Sequence, residues 1–243
     1  MIRRIVRLPT AADVTDLVAQ RLVHKLEERQ QQQDRVDVCL AGGNAANAVY
    51  ERVADLVVDA DIDFAKLHVW WGDERFVAAT DPERNSLQAV ERLARTIPMN
   101  SANIHMMAAR DGRKDSHESA EVYENELGDT RFDLVLLGIG PDGHTASIFP
   151  GHPSFSSTSR LVIGVEDAPK FPPERITLTF HALNRTDHVW FLATGRSKAE
   201  AVAAASSGDL SMPAAHAHGD VSTVWFIDEE AAEALPAQYH CEL

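Results

Sequence analysis

A histidine on a glycine-rich turn is the first feature of this chain that can do chemistry. Gly138-Ile139-Gly140-Pro141-Asp142-Gly143-His144-Thr145-Ala146-Ser147 follows Phe132-Asp133-Leu134-Val135-Leu136-Leu137, a short apolar run of the kind that forms a buried strand. Glycine lets the backbone turn tightly and approach a ligand, and the turn sets a carboxylate beside a side chain that accepts a proton near neutral pH. His144 is therefore expected to act as a general base, with Asp142 orienting either its imidazole or a substrate hydroxyl. A histidine that only packs or caps belongs on an apolar helix face. This one sits on a turn beside an acid.

Two further turns have the same form. Ala41-Gly42-Gly43-Asn44 follows Val36-Asp37-Val38-Cys39-Leu40, and Thr194-Gly195-Arg196-Ser197-Lys198 follows Val189-Trp190-Phe191-Leu192-Ala193. A glycine turn that opens a helix leaves unpaired N–H groups at the positive end of the helix dipole, which favours an anion. Lys198 adds a cation there, whereas Arg196 reads as a surface charge. Leu67-His68-Val69-Trp70-Trp71 leads into Gly72-Asp73-Glu74-Arg75-Phe76-Val77, placing charged residues where ligands meet strands in open α/β sheets.

The elements that must hold these residues follow from hydrophobic spacing. Val14, Leu17, Val18, Leu22 and Leu26 predict a helix over 11–33 with Thr10 as its N-cap, and a second helix follows Asn44. Asn85 or Ser86 is positioned to cap a helix bearing Leu87, Val90 and Leu93, residues 104–107 read as a short strand, and 115–127 as a polar, exposed helix. The segment after Gly143 can begin a helix. Further strands are expected at 161–165, 176–180 and 221–227, an alanine-rich helix to about 205, and a short helix over 228–235. This alternation predicts a mostly parallel α/β sheet with helices on both faces, in one domain spanning 1–243. In such a sheet the turns at 41–44, 138–144 and 194–198 open on one edge, so they can share a pocket.

Composition narrows the partners. The 243 residues carry a formal net charge of −14 without a cluster of Lys and Arg, which argues against nucleic acid. The N-terminus has charge but no apolar h-region, and no run approaches the ~18 apolar residues of a membrane span. The expectation is a cytoplasmic protein with a small anionic ligand, monomeric, though the sequence leaves oligomeric state open. Cys39 and Cys241 read as reduced thiols. Gly138-x-Gly140-x-x-Gly143 matches the dinucleotide fingerprint formally, but it lies mid-chain and Asp142 would face the pyrophosphate. The chain has neither a P-loop nor a Gly-x-Ser-x-Gly elbow. His216-Ala217-His218 lies on a Pro/Ala/Gly-rich loop without a nearby Cys or carboxylate and reads as solvated loop, not as a metal pair.

Taken together, Trp71-Gly72-Asp73-Glu74-Arg75-Phe76-Val77, Asn85-Ser86, Leu137 to Ser147 with Pro150-Gly151, and Thr194-Gly195-x-x-Lys198 resemble the 6-phosphogluconolactonase family over nearly the whole chain. The resemblance implies a Rossmann-like, sugar-phosphate isomerase-like α/β fold. It also implies hydrolysis of 6-phosphoglucono-δ-lactone, in the second step of the oxidative pentose phosphate pathway, without metal or organic cofactor. Position by position, His144 matches the catalytic histidine and Asp142 its neighbour on the turn. Arg75 and Lys198 match the phosphate-binding cations, Gly42 and Gly43 the phosphate loop with Asn44 beside them, and Asp73 and Gly143 fall within the substrate-binding motifs. The family usually reads Ser-Gly-Gly-Ser/Thr at that loop, where this chain has Ala41-Gly42-Gly43-Asn44. A hydroxyl donor is missing, but Asn44 is expected to cap the helix and donate an amide N–H instead, and the backbone donors do not depend on the side chain, so binding is expected to survive. His181 stands where the family has a proline, with no functional meaning.

The nearest alternative, glucosamine-6-phosphate deaminase, shares the fold and an Asp-Gly-His turn. It continues with Asn-Glu-Pro and has Asp-Glu-Tyr after the earlier strand, where this chain has Ser147-Ile148-Phe149-Pro150 and Asp73-Glu74-Arg75. A non-catalytic sugar-phosphate sensor on the same fold would need a DNA-binding segment, and the acidic chain offers none.

Overall fold

The computed structural model describes residues 2–98 and 100–236. In chain order the strands and helices are β1 (Ile2–Leu8), α1 (Ala11–Gln30), β2 (Val36–Leu40), α2 (Asn44–Leu56), β3 (Leu67–Trp71), β4 (Asp73–Arg75), α3 (Asn85–Leu93), β5 (Ile104–His105), α4 (Ser116–Leu127), β6 (Phe132–Gly138), β7 (Val162–Val165), β8 (Arg175–Leu178), α5 (Phe180–Leu183), β9 (Thr186–Ala193), α6 (Ala199–Ser207) and β10 (Ser222–Asp228). Seven strands form one sheet in the order β1-β10-β9-β6-β2-β3-β5, and each of its pairs is parallel.

The sheet is buried on both faces because its strands alternate between two apolar sets. In β6, Leu134 and Leu136 join the core under α1, α2 and α3, while Val135 and Leu137 join the core under α4 and α6. All four are 1 % exposed or less, as a continuous apolar strand in a covered parallel sheet requires. Thr10 caps α1 in a reciprocal box with Asp13, which satisfies two otherwise orphaned N–H groups.

Strand order explains the site's location. From β2 the chain steps one way to β3 and β5; from β6 it steps the other way to β9 and β10. The reversal lies between β2 and β6, and in open α/β sheets the crevice outside the strand ends at such a point is where ligands bind. The glycine turns after β2, β6 and β9 therefore come from three adjacent strands, with the histidine turn in the middle.

Several expectations are corrected. Residues 2–8, read from sequence only as a charged N-terminus, form the edge strand β1 along β10. The segment after Gly143 opens no helix: it continues as turns with a bridge from Thr145 to Ile148, because Ala146 adopts φ 48°, outside the helical range. Residues 162–165 and 175–178 do not extend the parallel sheet; with β4 they make a separate three-stranded antiparallel sheet in the order β4-β8-β7. Phe180 leaves the strand to start α5. Residues 229–235 form turns, not a helix. Helix α4 is half-buried, with Ala120, Tyr123 and Leu127 in the core. Helix α1 ends at Gln30 rather than 33. Cys39 is a buried free thiol, and Cys241 lies outside the described residues.

Candidate active site

Each side chain at the sheet's crevice is placed by the element behind it. The N-terminus of α3 is the first example. Arg84 is its N-cap but makes no side-chain capping bond; the Asn85 and Ser86 N–H groups instead donate to the two oxygens of Glu74, at 2.7 and 2.9 Å. Neither Asn85 nor Ser86 caps the helix, contrary to the sequence expectation. Glu74 is fully buried and its carboxylate lies 3.5 Å from the Arg84 guanidinium; burial raises its pKa, and the cation and N–H groups, with the helix dipole, offset that only in part. Freed from capping, Asn85 donates from Nδ2 to the Asp73 carbonyl at 3.0 Å and to the Asp73 carboxylate at 3.3 Å. Ser147 Oγ donates to the other Asp73 oxygen at 2.6 Å. Asp73 is a buried carboxylate held at two oxygens.

Residues of β2, β4, β6 and β8 and of the turns that follow β2, β3 and β6, together with Lys198, enclose a cleft of about 180 Å³. Gly42, Gly43, Asp73, Arg75, His144 and Lys198, all singled out from sequence, line it. Asn44 does not; it lines the adjoining cleft with Gly42, Gly43, Ser197 and Lys198. Gly43, at φ 98°, is the N-cap of α2, and no side chain caps the helix. Asn44 is thus the first helical residue and not its cap, and the helix N-terminus opens on the cleft without an acidic residue in its first turn. Gly143 does not line the cleft: its N–H donates to the Gly140 carbonyl at 3.0 Å and its Cα faces Met212, so it shapes the turn.

His144 meets its partners at one ring nitrogen. Nδ1 lies 2.5 Å from Asp142 Oδ1 and 3.1 Å from Lys170 Nζ, while Lys170 also donates to Asp142 at 3.2 Å. The ring leans on Phe149, with centroids 4.8 Å apart. Gly140 makes the arrangement possible: a Cβ there would lie 1.9 Å from His144 Nδ1. Burial lowers the His144 pKa; Asp142 raises it and the Lys170 charge lowers it again, and the net direction is downward. Burial would raise Asp142, but the hydrogen bond and charge of His144, with Lys170, hold it down at about 2. Lys198 is lowered by burial and then by Lys170. The pair therefore stands as neutral imidazole and ionised carboxylate near pH 7.

Arg75 donates from Nη1 to the Glu83 carbonyl at 2.6 Å and leaves Nε buried without a partner. Arg196 pairs with Glu233 at the surface, as read from sequence. His216 and His218 each turn a ring nitrogen to a backbone carbonyl, of Leu210 and His216 respectively. Among the described residues no group of three or more His, Cys, Asp or Glu is arranged to hold a metal ion, and no helix is long and apolar enough to cross a membrane.

Sequence reading missed Lys170 and Arg175. Lys170 lies in a proline-rich connection with no periodicity, and Arg175 on a strand whose partner sheet was not anticipated. Only the bracketing prolines and the Thr-Leu-Thr run hint at a fixed segment there.

A family model described as glucosamine-6-phosphate isomerases/6-phosphogluconolactonase matches residues 9–225. The chain is 40% identical to a 6-phosphogluconolactonase of Streptomyces coelicolor over 92% of its length and 91% of that protein's. It is 44% identical to one of Mycobacterium tuberculosis over 72% of this chain and 76% of that one. Its structure superposes on a crystal structure of 6-phosphogluconolactonase from Thermotoga maritima with a TM-score of 0.82 at 29% identity, covering 94% of this chain and all of the other. By sequence and by fold, the chain belongs to the glucosamine-6-phosphate isomerase/6-phosphogluconolactonase family.

Proposed function

We propose that this protein hydrolyses 6-phospho-D-glucono-1,5-lactone to 6-phospho-D-gluconate, with His144 as the general base. The observation that carries the reading is the 2.5 Å contact of Asp142 with His144 Nδ1 on the rim of a cleft that also holds Arg75 and Lys198. The names of the relatives support it. With Nδ1–H donated to the carboxylate, Nε2 carries the free lone pair. Nε2 takes a proton from water as the water oxygen bonds to the lactone carbonyl carbon; the tetrahedral intermediate then breaks its bond to the ring oxygen, which leaves with the proton as an alcohol. A lactone is already activated, so a protein nucleophile is unnecessary.

Arg75, Lys198 and the open N-terminus of α2 are suited to a phosphate dianion, through charge-assisted bonds and the helix dipole. Asp73, fixed by Asn85 and Ser147, is suited to accept hydrogen bonds from sugar hydroxyls. The same reading makes the partner a small sugar-phosphate lactone in cytoplasmic carbohydrate metabolism. The test is loss of the lactone above its spontaneous hydrolysis, measured beside ammonia release from glucosamine 6-phosphate. Catalysed lactone loss alone is expected; ammonia release alone overturns the proposal.

A further inference from the structure

Arg175 is 4 % exposed, yet it makes no close ion pair; its guanidinium is spent on backbone. Nε donates to the Pro172 carbonyl at 3.0 Å, and Nη2 to the Lys170 and Phe171 carbonyls at 3.1 and 3.3 Å. Three consecutive carbonyls thus converge on one side chain. The remaining nitrogen, Nη1, reaches Ser147 Oγ at 3.4 Å and stands 4.0 Å from the Asp73 carboxylate. The guanidinium also covers the Phe149 ring, 5.5 Å from its centroid, and Phe149 is the ring against which His144 leans. One buried fork therefore joins the segment 170–172 to the floor under the histidine.

Besides this fork, the segment is held by the buried Pro172 and by the Ala168 N–H donating to the Pro173 carbonyl at 3.0 Å, and neither fixes the residue that carries the ammonium. Phe171 is 85 % exposed, while Lys170, its neighbour, has its ammonium against both His144 and Asp142. From this geometry we propose that Arg175 is a positioning residue that sets the basicity of His144 through Lys170, by fixing the backbone from which Lys170 reaches the His144–Asp142 pair. The inference rests on His144 being the base. Asp142 at 2.5 Å requires Nδ1 to donate to it, so the nearby ammonium cannot be a donor to that nitrogen; it acts by charge, opposing protonation of the ring. The charged groups around the ring are Asp142 on its own turn, Lys170 on the 170–172 segment, Asp73 and Arg75 on β4, Arg175 on β8 and Lys198 before α6. Burial disfavours the protonated ring most, Asp142 and Asp73 favour it, and Lys170 opposes those two carboxylates, so the ammonium's distance shifts the balance. Lysine cannot replace Arg175, because a single ammonium lacks the planar fork that spans three carbonyls.

The test is an NMR titration of the His144 ring in the whole protein, beside the acid limb of kcat/KM. Lys170→Met should move the His144 titration upward by about half a pH unit or more. Arg175→Lys, which keeps the charge but not the fork, should move it upward as well, and Arg175→Lys combined with Lys170→Met should add nothing further. Phe171→Gly loosens the same segment without touching the core and should shift the titration in the same direction, which keeps the test available should Arg175→Lys fold poorly. A Lys170→Met shift with none in either Arg175→Lys or Phe171→Gly overturns the proposal, as do additive shifts in the double variant. Arg175 acting only as packing would lower turnover and leave the titration in place. The ring titration is read without turnover, so it still decides the coupling should His144→Ala prove fully active and the base assignment fall.

Discussion

Asp142 Oδ1 and His144 Nδ1 lie 2.5 Å apart on a turn whose histidine lines the cleft. A carboxylate at that distance selects the tautomer with hydrogen on Nδ1, so the accepting lone pair is on Nε2. His144→Ala should lower kcat by about 10²–10⁴ and leave the affinity for phosphate-bearing ligands nearly intact, since the cations lie on other elements. Steady-state kinetics against the spontaneous background checks this; unchanged kcat removes His144 from the mechanism.

The acid limb of kcat/KM should fall below pH 6.5, because the His144 pKa lies below its ordinary 6.5 and the neutral ring is the active form. Asp142→Asn removes the stronger of the two groups that raise it and leaves only Asp73, so the limb should move to still lower pH while kcat drops. Both pKa shifts have the same sign for stability. A depressed histidine stabilises the fold above its unfolded value and a depressed carboxylate does likewise, so stability is lost first as pH falls below 6.5 and again from 3.8 toward about 2. A limb that moves to higher pH in Asp142→Asn contradicts this assignment.

Much of this site was legible because its residues stand on strand ends. The periodicities of β2, β6 and β9 fixed three turns on one edge, and their order β9-β6-β2 made them neighbours. The antiparallel sheet was not legible, since β4 is three residues long and nothing local distinguishes β7 and β8 from strands of the main sheet. Arg175 and Lys170 were lost with it. The Asn85 and Ser86 cap was misread for a related reason: propensity favours those residues at an N-cap, but the buried Glu74 carboxylate, eleven residues earlier in the chain, satisfies the helix N–H groups better than a local side chain can. Gly143 was assigned to the substrate because it belongs to the motif; only the structure shows that its N–H is taken by the Gly140 carbonyl and its carbonyl by the Ala214 N–H.

Arg75→Ala should raise KM about tenfold or more with a smaller change in kcat. A phosphate contact remote from the carbonyl binds ground and transition states alike. Arg75 already spends Nη1 on Glu83, so the substrate has to compete only for its other nitrogens. An unchanged KM would assign the phosphate to Lys198 and the α2 N-terminus alone.

Gly140→Ala should be nearly inactive but folded. The added Cβ meets His144 Nδ1 at 1.9 Å and Asp142 Oδ1 at 2.4 Å, both ends of side chains on an exposed turn, so the pair moves and the sheet does not. A displacement of about 1 Å at a catalytic group can cost on the order of 10² in rate. Circular dichroism and thermal melting should remain close to those of the parent. Retained kcat would mean that the base does not need this geometry.

Glu74→Ala should destabilise the protein by about 3–5 kcal/mol, the usual cost of leaving one partner of a buried ion pair alone. Arg84, 4 % exposed, would lose the carboxylate 3.5 Å away, though it keeps its bond to the Met107 carbonyl at 2.7 Å. The Asn85 and Ser86 N–H groups would lose their acceptor at the same time. Because Asn85 holds Asp73, the damage should reach the cleft: urea unfolding should show the lower midpoint, and the folded fraction should show raised KM as Asp73 loses its fixed orientation. A variant with parent stability and raised KM would separate the two roles and leave Glu74 acting only through Asn85. A large stability loss with unchanged KM would show that Ser147 alone suffices to hold Asp73.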